Sequence, residues 1–341
     1  MIDFRYHLVS IVAVFLALAI GIVLGSTELQ GPAYAFLDQT TSKLKTQLDQ
    51  AASQRDAAQQ QATEGEMYAQ AVEPAVLHDL LAGRQLLIVT EPGAQSSVVS
   101  GISAAAVDAG AKVTGQINLQ PKFFDTSGTA QDSLNQTNLA VAEPEGIQLD
   151  ASATYQQQAA QVIASEILTA TPGSAASQGT GTSTNAATML QAYAASQFLS
   201  TTGQPATPAS LAVVVTPQTA PSDGSADQLD QVLIPLVQEL AAKSAATVVV
   251  GSSGGSGAGS PITVLRSNNV SSQVSTVDDA DLASGQTVAI QALAIQLAGG
   301  KAGNYGFTAN GATAIAPSPA PTPTASASAT PTASTKKKVK K

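Results

Sequence analysis

RQLLIVTEPGAQSSVVSGISAAAVDAGAKVTGQINLQ, residues 84–120, decides the fold. Its first part, RQLLIVTEPG, is a short apolar run closed by Pro92 and Gly93, the pattern of a buried strand. SSVVSGISAAAVDAGA follows with helical spacing and a glycine near its end, and KVTGQINLQ resumes an extended pattern. Strand, helix and strand in so short a span make a βαβ unit, hence a parallel sheet with a right-handed crossover.

The alternation returns further on. ASLAVVVTP (209–217) is a strand, DQLDQVLIPLVQELAAKSA (227–245) a helix and ATVVVGSS (246–253) a strand. PITVLRSN (261–268) and SQVSTVDDAD (272–281) are expected as two more strands, ahead of the helix SGQTVAIQALAIQLAGG (284–300). Between the halves lie two helical patterns, ATYQQQAAQVIASEIL (153–168) and NAATMLQAYAASQFLS (185–200), joined by the Gly/Ser/Thr-rich TATPGSAASQGTGTSTN. One doubly wound, mostly parallel (Rossmann-like) α/β domain over residues 79–312 accounts for this pattern. After it, residues 313–341 become rich in Pro, Ala, Ser and Thr and end in a lysine cluster. Such a tract buries no core and is expected to be disordered; its lysines suit anionic headgroups or wall polymers, or merely solubility.

Ahead of the domain, residues 8–26 carry no charge and are long enough to cross a bilayer as a helix. Ala17–Ala19 offers a cleavage site, but Asp3 stands beside Arg5 in front of it and the apolar run continues past it as IGIVLG. The expectation is therefore an uncleaved transmembrane helix rather than a signal peptide. Arg5 precedes the span and the next basic residues are Lys43 and Lys45, so residues 1–7 are placed in the cytoplasm and the domain outside. Ala13, Ala17, Gly21 and Gly25 form one helical stripe, as in small-residue dimer motifs; the abundance of Ala and Gly explains it equally well.

Residues 27–78 show heptad spacing through Leu37, Thr41, Leu44, Leu48, Ala51, Arg55, Ala58, Ala62, Gly65, Ala69, Val72 and Val76. A coiled coil joining two copies is expected, the other account being one long helix folded back on its own domain. Pro74 is expected to end or kink it.

Candidate chemistry is sparse. The net charge is −9 although five of the fifteen basic residues sit in the last six positions, which argues against nucleic acid. There is no cysteine, hence no thiolate or disulfide. VVVGSSGGSGAGSP follows a strand, but Gly251, Gly254, Gly255, Gly257 and Gly259 fit neither phosphate-binding fingerprint, and TEPGAQSS lacks one too. His7 and His78 accompany no nucleophile motif. Asp278, Asp279 and Asp281 follow a strand, where α/β proteins place sites for Mg²⁺ or Ca²⁺, yet solvated residues favouring the next helix N-terminus are the simpler account. No catalytic, cofactor-binding or metal-ligating residue is assigned, and no enzyme activity is expected.

Three segments carry a resemblance: MIDFRYHLVSIVAVFLALAIGIVLGS (1–26) with the heptad helix after it, STVDDADLASGQTVAIQALAIQLAGG (275–300), and GNYG (303–306). Together they resemble the actinobacterial family named for the mycobacterial copper transport protein B. The resemblance implies an anchored envelope protein. The family name implies copper export or tolerance, with an outer-membrane pore proposed. Corynebacterial relatives imply a septal envelope complex with a partner membrane protein. Copper(I) favours thiolate, thioether and imidazole donors, and the chain offers Met1, Met67, Met189 and two histidines, no two at helical-neighbour spacing. One apolar helix cannot line an aqueous channel, and the alternating strands of a barrel are not legible. The expected function is a non-catalytic, homodimeric scaffold that binds an envelope or septal partner at the membrane; the alternative is a component of copper efflux or resistance.

Overall fold

The computed structural model describes residues 4–169, 182–218, 226–254 and 260–306, with no side-chain description for 26–35, 182–184 and 226–230. The Gly/Ser/Thr linker, Gly255, Gly257, Gly259, Met1 and the tail 313–341 lie wholly or mostly outside these residues. The chain divides into two compact units, residues 1–65 and 66–341.

The first unit is helix. α1 runs Phe4–Leu77, passing into the second unit for its last turns. Phe4–Gly25 is apolar and long enough to span a membrane, with none of it buried. Leu37, Leu44 and Leu48, the strongest heptad positions, are exposed.

The second unit is the α/β domain. Its strands are β1 (Gln85–Thr90), β2 (Lys112–Leu119), β3 (Leu199–Gly203), β4 (Leu211–Val215), β5 (Ala246–Val250), β6 (Ser275–Val277) and β7 (Asn304–Tyr305). Its further helices are α2 (Ser96–Asp108), α3 (Gly128–Glu145), α4 (Tyr155–Ile167), α5 (Thr182–Ala195), α6 (Ala226–Lys243), α7 (Pro261–Ser267) and α8 (Ala283–Leu297). Among the described residues the strands form one sheet in the order β3-β2-β1-β4-β5-β6-β7. All pairings are parallel except β2 with β3. The expected fold class is the observed one.

Alternate strand residues feed two cores, so each central strand is a continuous apolar run. Leu87, Val89, Ala212, Val214 and Val249 meet α3 to α7 on one face. Leu86, Ile88, Val213, Val248 and Val250 meet α2, α8 and the end of α1 on the other.

Two element assignments are corrected. PITVLRSN is helix α7, not a strand: Ser260 caps it by accepting from Thr263 N, and Pro261 occupies the first turn, where its missing N–H costs nothing. The pattern assigned to one helix over 185–200 ends at Ala195; Leu199–Gly203 is β3, an edge strand whose only buried residue is Leu199, which hides it from an apolar-run criterion. α1 ends at Leu77, three residues after Pro74, and Leu77 is fully buried there. The seam is not free along its whole length either. Ala69 and Val72 are half-buried, and Glu66 Oε1 accepts from Ala283 N at the start of α8. The last turns of α1 are thus committed to their own domain.

Candidate site at the carboxyl ends of the strands

In a doubly wound sheet, ligands enter where strand order reverses, here between β1 and β4. This crevice is filled by the chain itself. Gly93, at φ +84°, packs against Pro217, and Gln95 Nε2 donates to Gln218 Oε1 at 2.8 Å. Gln218 in turn lies over Gly254, leaving no room there for a Cβ. Loops after β1, β4 and β5 therefore close on one another where a dinucleotide would otherwise sit. Neither Gly251 nor Gly254 cradles open space.

Glu91 stands directly after β1, its N–H donating to Val215 O. Its side chain is buried and Oε1 has no hydrogen-bond partner. Burial pushes its carboxyl up to about 8, so it is neutral at pH 7. The residue was not singled out in the sequence, where one glutamate in a turn carries no sign of its burial.

Two of the three aspartates are not solvated, which corrects the simpler account above for them; Asp281 is exposed. Asp278 and Asp279 are buried. Arg266 Nη1 lies 2.6 Å from Asp278 Oδ2, its Nε donates to Thr276 Oγ1 at 2.8 Å and its Nη2 to Tyr305 O at 2.6 Å. The guanidinium thus ties α7, β6 and β7 together. Gly306 is required beside this pair, since a Cβ there would overlap Asp278 Oδ1. Asp281 accepts from Ser253 N at 2.7 Å and Ser253 Oγ at 2.6 Å, joining the loops after β5 and β6. Asp279 Oδ1 is buried without a partner close to Gly285 in the first turn of α8. Burial first, and then the charges of Asp278 and Asp281, push Asp279 up to about 6. Two of the three carboxylates are thereby spent on structural bonds. Among the described residues, no three of His, Asp and Glu gather in a way that could hold a metal.

Among the described residues, open grooves lie over β1 and β2 on one face of the sheet and beside β3 on the other. On the α2 side is a groove of about 590 Å³ whose polar wall includes Ser96, Ser100 and Ser103 of α2 facing Gln116, Asn118 and Thr202. On the α5 side a second groove, about 370 Å³, is lined by Leu190, Ala194, Thr201, Pro205 and Ala206 among others.

The sequence comparisons bear on what such an arrangement serves. Residues 1–317 match the family model described as "Copper transport outer membrane protein, MctB". The chain belongs to the MctB family. Among its relatives is the protein named "Copper transporter MctB" of Mycobacterium tuberculosis (strain ATCC 25618 / H37Rv), 29% identical over 320 residues, 92% of this chain and 99% of that one. The protein of the same name in Mycobacterium leprae (strain TN) is 27% identical over 321 residues, with the same shares covered. The match runs through the apolar helix and the domain alike, and the family is named for transport, not for catalysis.

Set against the MctB name, the soft donors of this chain are dispersed. Met189 is buried in the core beneath α5, while Met67 is exposed on α1. His7 is exposed near the start of α1. His78 is exposed just after α1, with Nδ1 3.2 Å from Asp79 Oδ2.

Proposed function

We propose that this chain is a membrane-anchored component of a copper efflux or copper-tolerance system of the cell envelope, acting through a protein partner rather than holding the metal itself. The observation that carries it is the family match across residues 1–317, anchor and domain together. The donor set restricts the role: copper(I) is taken by thiolates, thioethers and imidazoles, and this chain has no cysteine and keeps its few methionines and histidines apart. Copper is then the cargo of an assembly. The chain contributes an anchor and a non-catalytic α/β module at the membrane.

In this account residues 8–26, overlapping the apolar stretch Phe4–Gly25, remain in the membrane with residues 1–7 inside and the domain outside, an arrangement supported by Arg5 before the span. A homodimer through the apolar helix and the heptads is supported by the exposure of Leu37, Leu44 and Leu48, which need an apolar cover. Cysteine placed at Leu44 is expected to form a symmetric disulfide in membranes; a chain that stays monomeric under oxidation would contradict the dimer.

A second account, a dimeric partner-binding scaffold for envelope or septum maintenance without copper, is favoured by the same shortage of donors. Copper sensitivity separates the two. Deleting the gene is expected to make cells more sensitive to copper. The chain carrying Met67→Leu, Met189→Leu, His7→Gln and His78→Gln together is expected to restore tolerance fully. If that variant reaches the membrane and fails, the chain holds the metal. If deletion leaves tolerance unchanged and septation disturbed, the scaffold account stands.

A further inference from the structure

The heptad seam of α1 runs on through Gly65 into Ala69 and Val72 with its spacing unbroken, but its surroundings change at one residue. Every residue from 36 to 65 is exposed, whereas Glu66, Ala69, Val72 and Glu73 are half-buried and Leu77 is fully buried. Residues three, four and seven apart share one face of a helix, so the docked face includes the seam positions Ala69 and Val72. The chain's own domain therefore stands where the helix of a second copy would continue. The same point divides the chain into its two compact units.

This cover is shallow, since none of residues 66–76 is fully buried. Leu282, at the cap position of α8, makes no side-chain bond to the helix; Glu66 Oε1 accepts from Ala283 N in its place, where the helix dipole favours a carboxylate. Glu73 works against the contact. Its Oε1 is buried and, among the described residues, has no partner. Burial first, then the charge of Asp108 at the end of α2, push its carboxyl up, and Glu66 adds to the push. Two weak points flank the docked turns. Gly65 lies inside the helix although a Cβ there would meet nothing within 4 Å, and an interior glycine loosens a helix. Pro74 lacks the N–H that would bond Gln70 O, which breaks the ladder just before Leu77.

We propose that residues 66–73 of α1 are a latch, one helix face for which the chain's own domain and a second copy compete. Closed, these turns lie at the start of α8 and end the two-copy coiled coil at Gly65. Lifted about Pro74, with Leu77 left in the core, they let Ala69 and Val72 pair with the same residues of the second copy. The latch rests on the homodimer reading above and regulates that same seam.

The chain has no cysteine, so each one introduced is unique. The test is the rate of diamide crosslinking of the full-length chain in membranes, with Leu44→Cys, Ala62→Cys or Ala69→Cys in turn. The first two are expected to crosslink readily. Ala69→Cys is expected to crosslink at least about tenfold more slowly, because its rate follows the lifted fraction. Glu66→Ala cuts the tether and is expected to bring the Ala69→Cys rate close to that of Ala62→Cys, whereas Glu66→Gln keeps an acceptor oxygen and stays slow. Ala283→Pro removes the donor from the other side and suits the first position of α8 after the extended Leu282, so it is expected to act as Glu66→Ala does should that variant fail to fold. Pro74→Ala, added to Glu66→Ala, restores the ladder and is expected to slow the Ala69→Cys crosslink again, which a merely loosened domain would not do. No crosslink from Leu44→Cys would remove the dimer reading and the latch with it. If Leu44→Cys and Ala62→Cys crosslink, the latch alone is overturned by an equally fast Ala69→Cys crosslink with Glu66 intact, or by none in either tether variant.

Discussion

Glu91→Gln is expected to stabilise the α/β domain at pH 8.5 by several kcal/mol and to leave it nearly unchanged at pH 5. The Glu91 carboxyl titrates near 8 in the folded chain against an ordinary value of 4.5, because burial disfavours its charged form. A raised folded value means that stability is fully present below about 4.5, falls as pH rises and reaches its floor above about 8. At about 1.4 kcal/mol per pH unit, the span corresponds to roughly 5 kcal/mol. Asp279, pushed up to about 6, adds a loss of the same sign at lower pH. The wild-type urea midpoint, followed by circular dichroism in detergent, is therefore expected to fall from pH 5 to pH 8.5, by about 1–2 M. In Glu91→Gln most of this fall should vanish. An equal fall in both proteins would mean that Glu91 is charged and paired in solution.

Arg266→Met is expected to cost about 3–5 kcal/mol, because it leaves Asp278 buried without its partner guanidinium. Loss of the bonds to Thr276 Oγ1 and Tyr305 O should also release β7, seen as faster amide exchange around Tyr305. The double variant Arg266→Met with Asp278→Leu is expected to recover much of the stability, since neither charge of the pair remains buried without its partner. If the single variant melts within about 1 kcal/mol of wild type, the ion pair does not organise this edge.

These groups show where sequence patterns stop. Central strands announce themselves: QLLIVT, LAVVV and ATVVV are buried on both faces, so each is an unbroken apolar run. β3 has water on most of its side chains and reads as a polar loop. α3, GTAQDSLNQTNLAVAEPE, has an apolar stripe of small and polar residues, including the buried Thr137 and Asn138, too faint to stand out. The burial of Asp278 depends on Arg266, twelve residues earlier and on another element, so neighbouring residues say nothing of it. Glu91 is harder still, since a single glutamate in a turn carries no sign of its burial. The heptads of α1 were legible as a pattern, but only the fold distinguishes Leu44 and Leu48, which are exposed, from Ala69 and Val72, which lean on their own domain. The family resemblance, carried by the two ends of the chain, held over nearly its whole length.

The central claim is that this MctB-family chain serves copper handling without being the ligand. Calorimetric titration of Cu(I), under reducing conditions, into the full-length chain in detergent tests it most directly. The account predicts no saturable binding tighter than micromolar, and the same flat titration for the variant lacking Met67, Met189, His7 and His78. Tight stoichiometric binding that disappears in that variant would contradict it, and would make the chain itself a carrier of the metal.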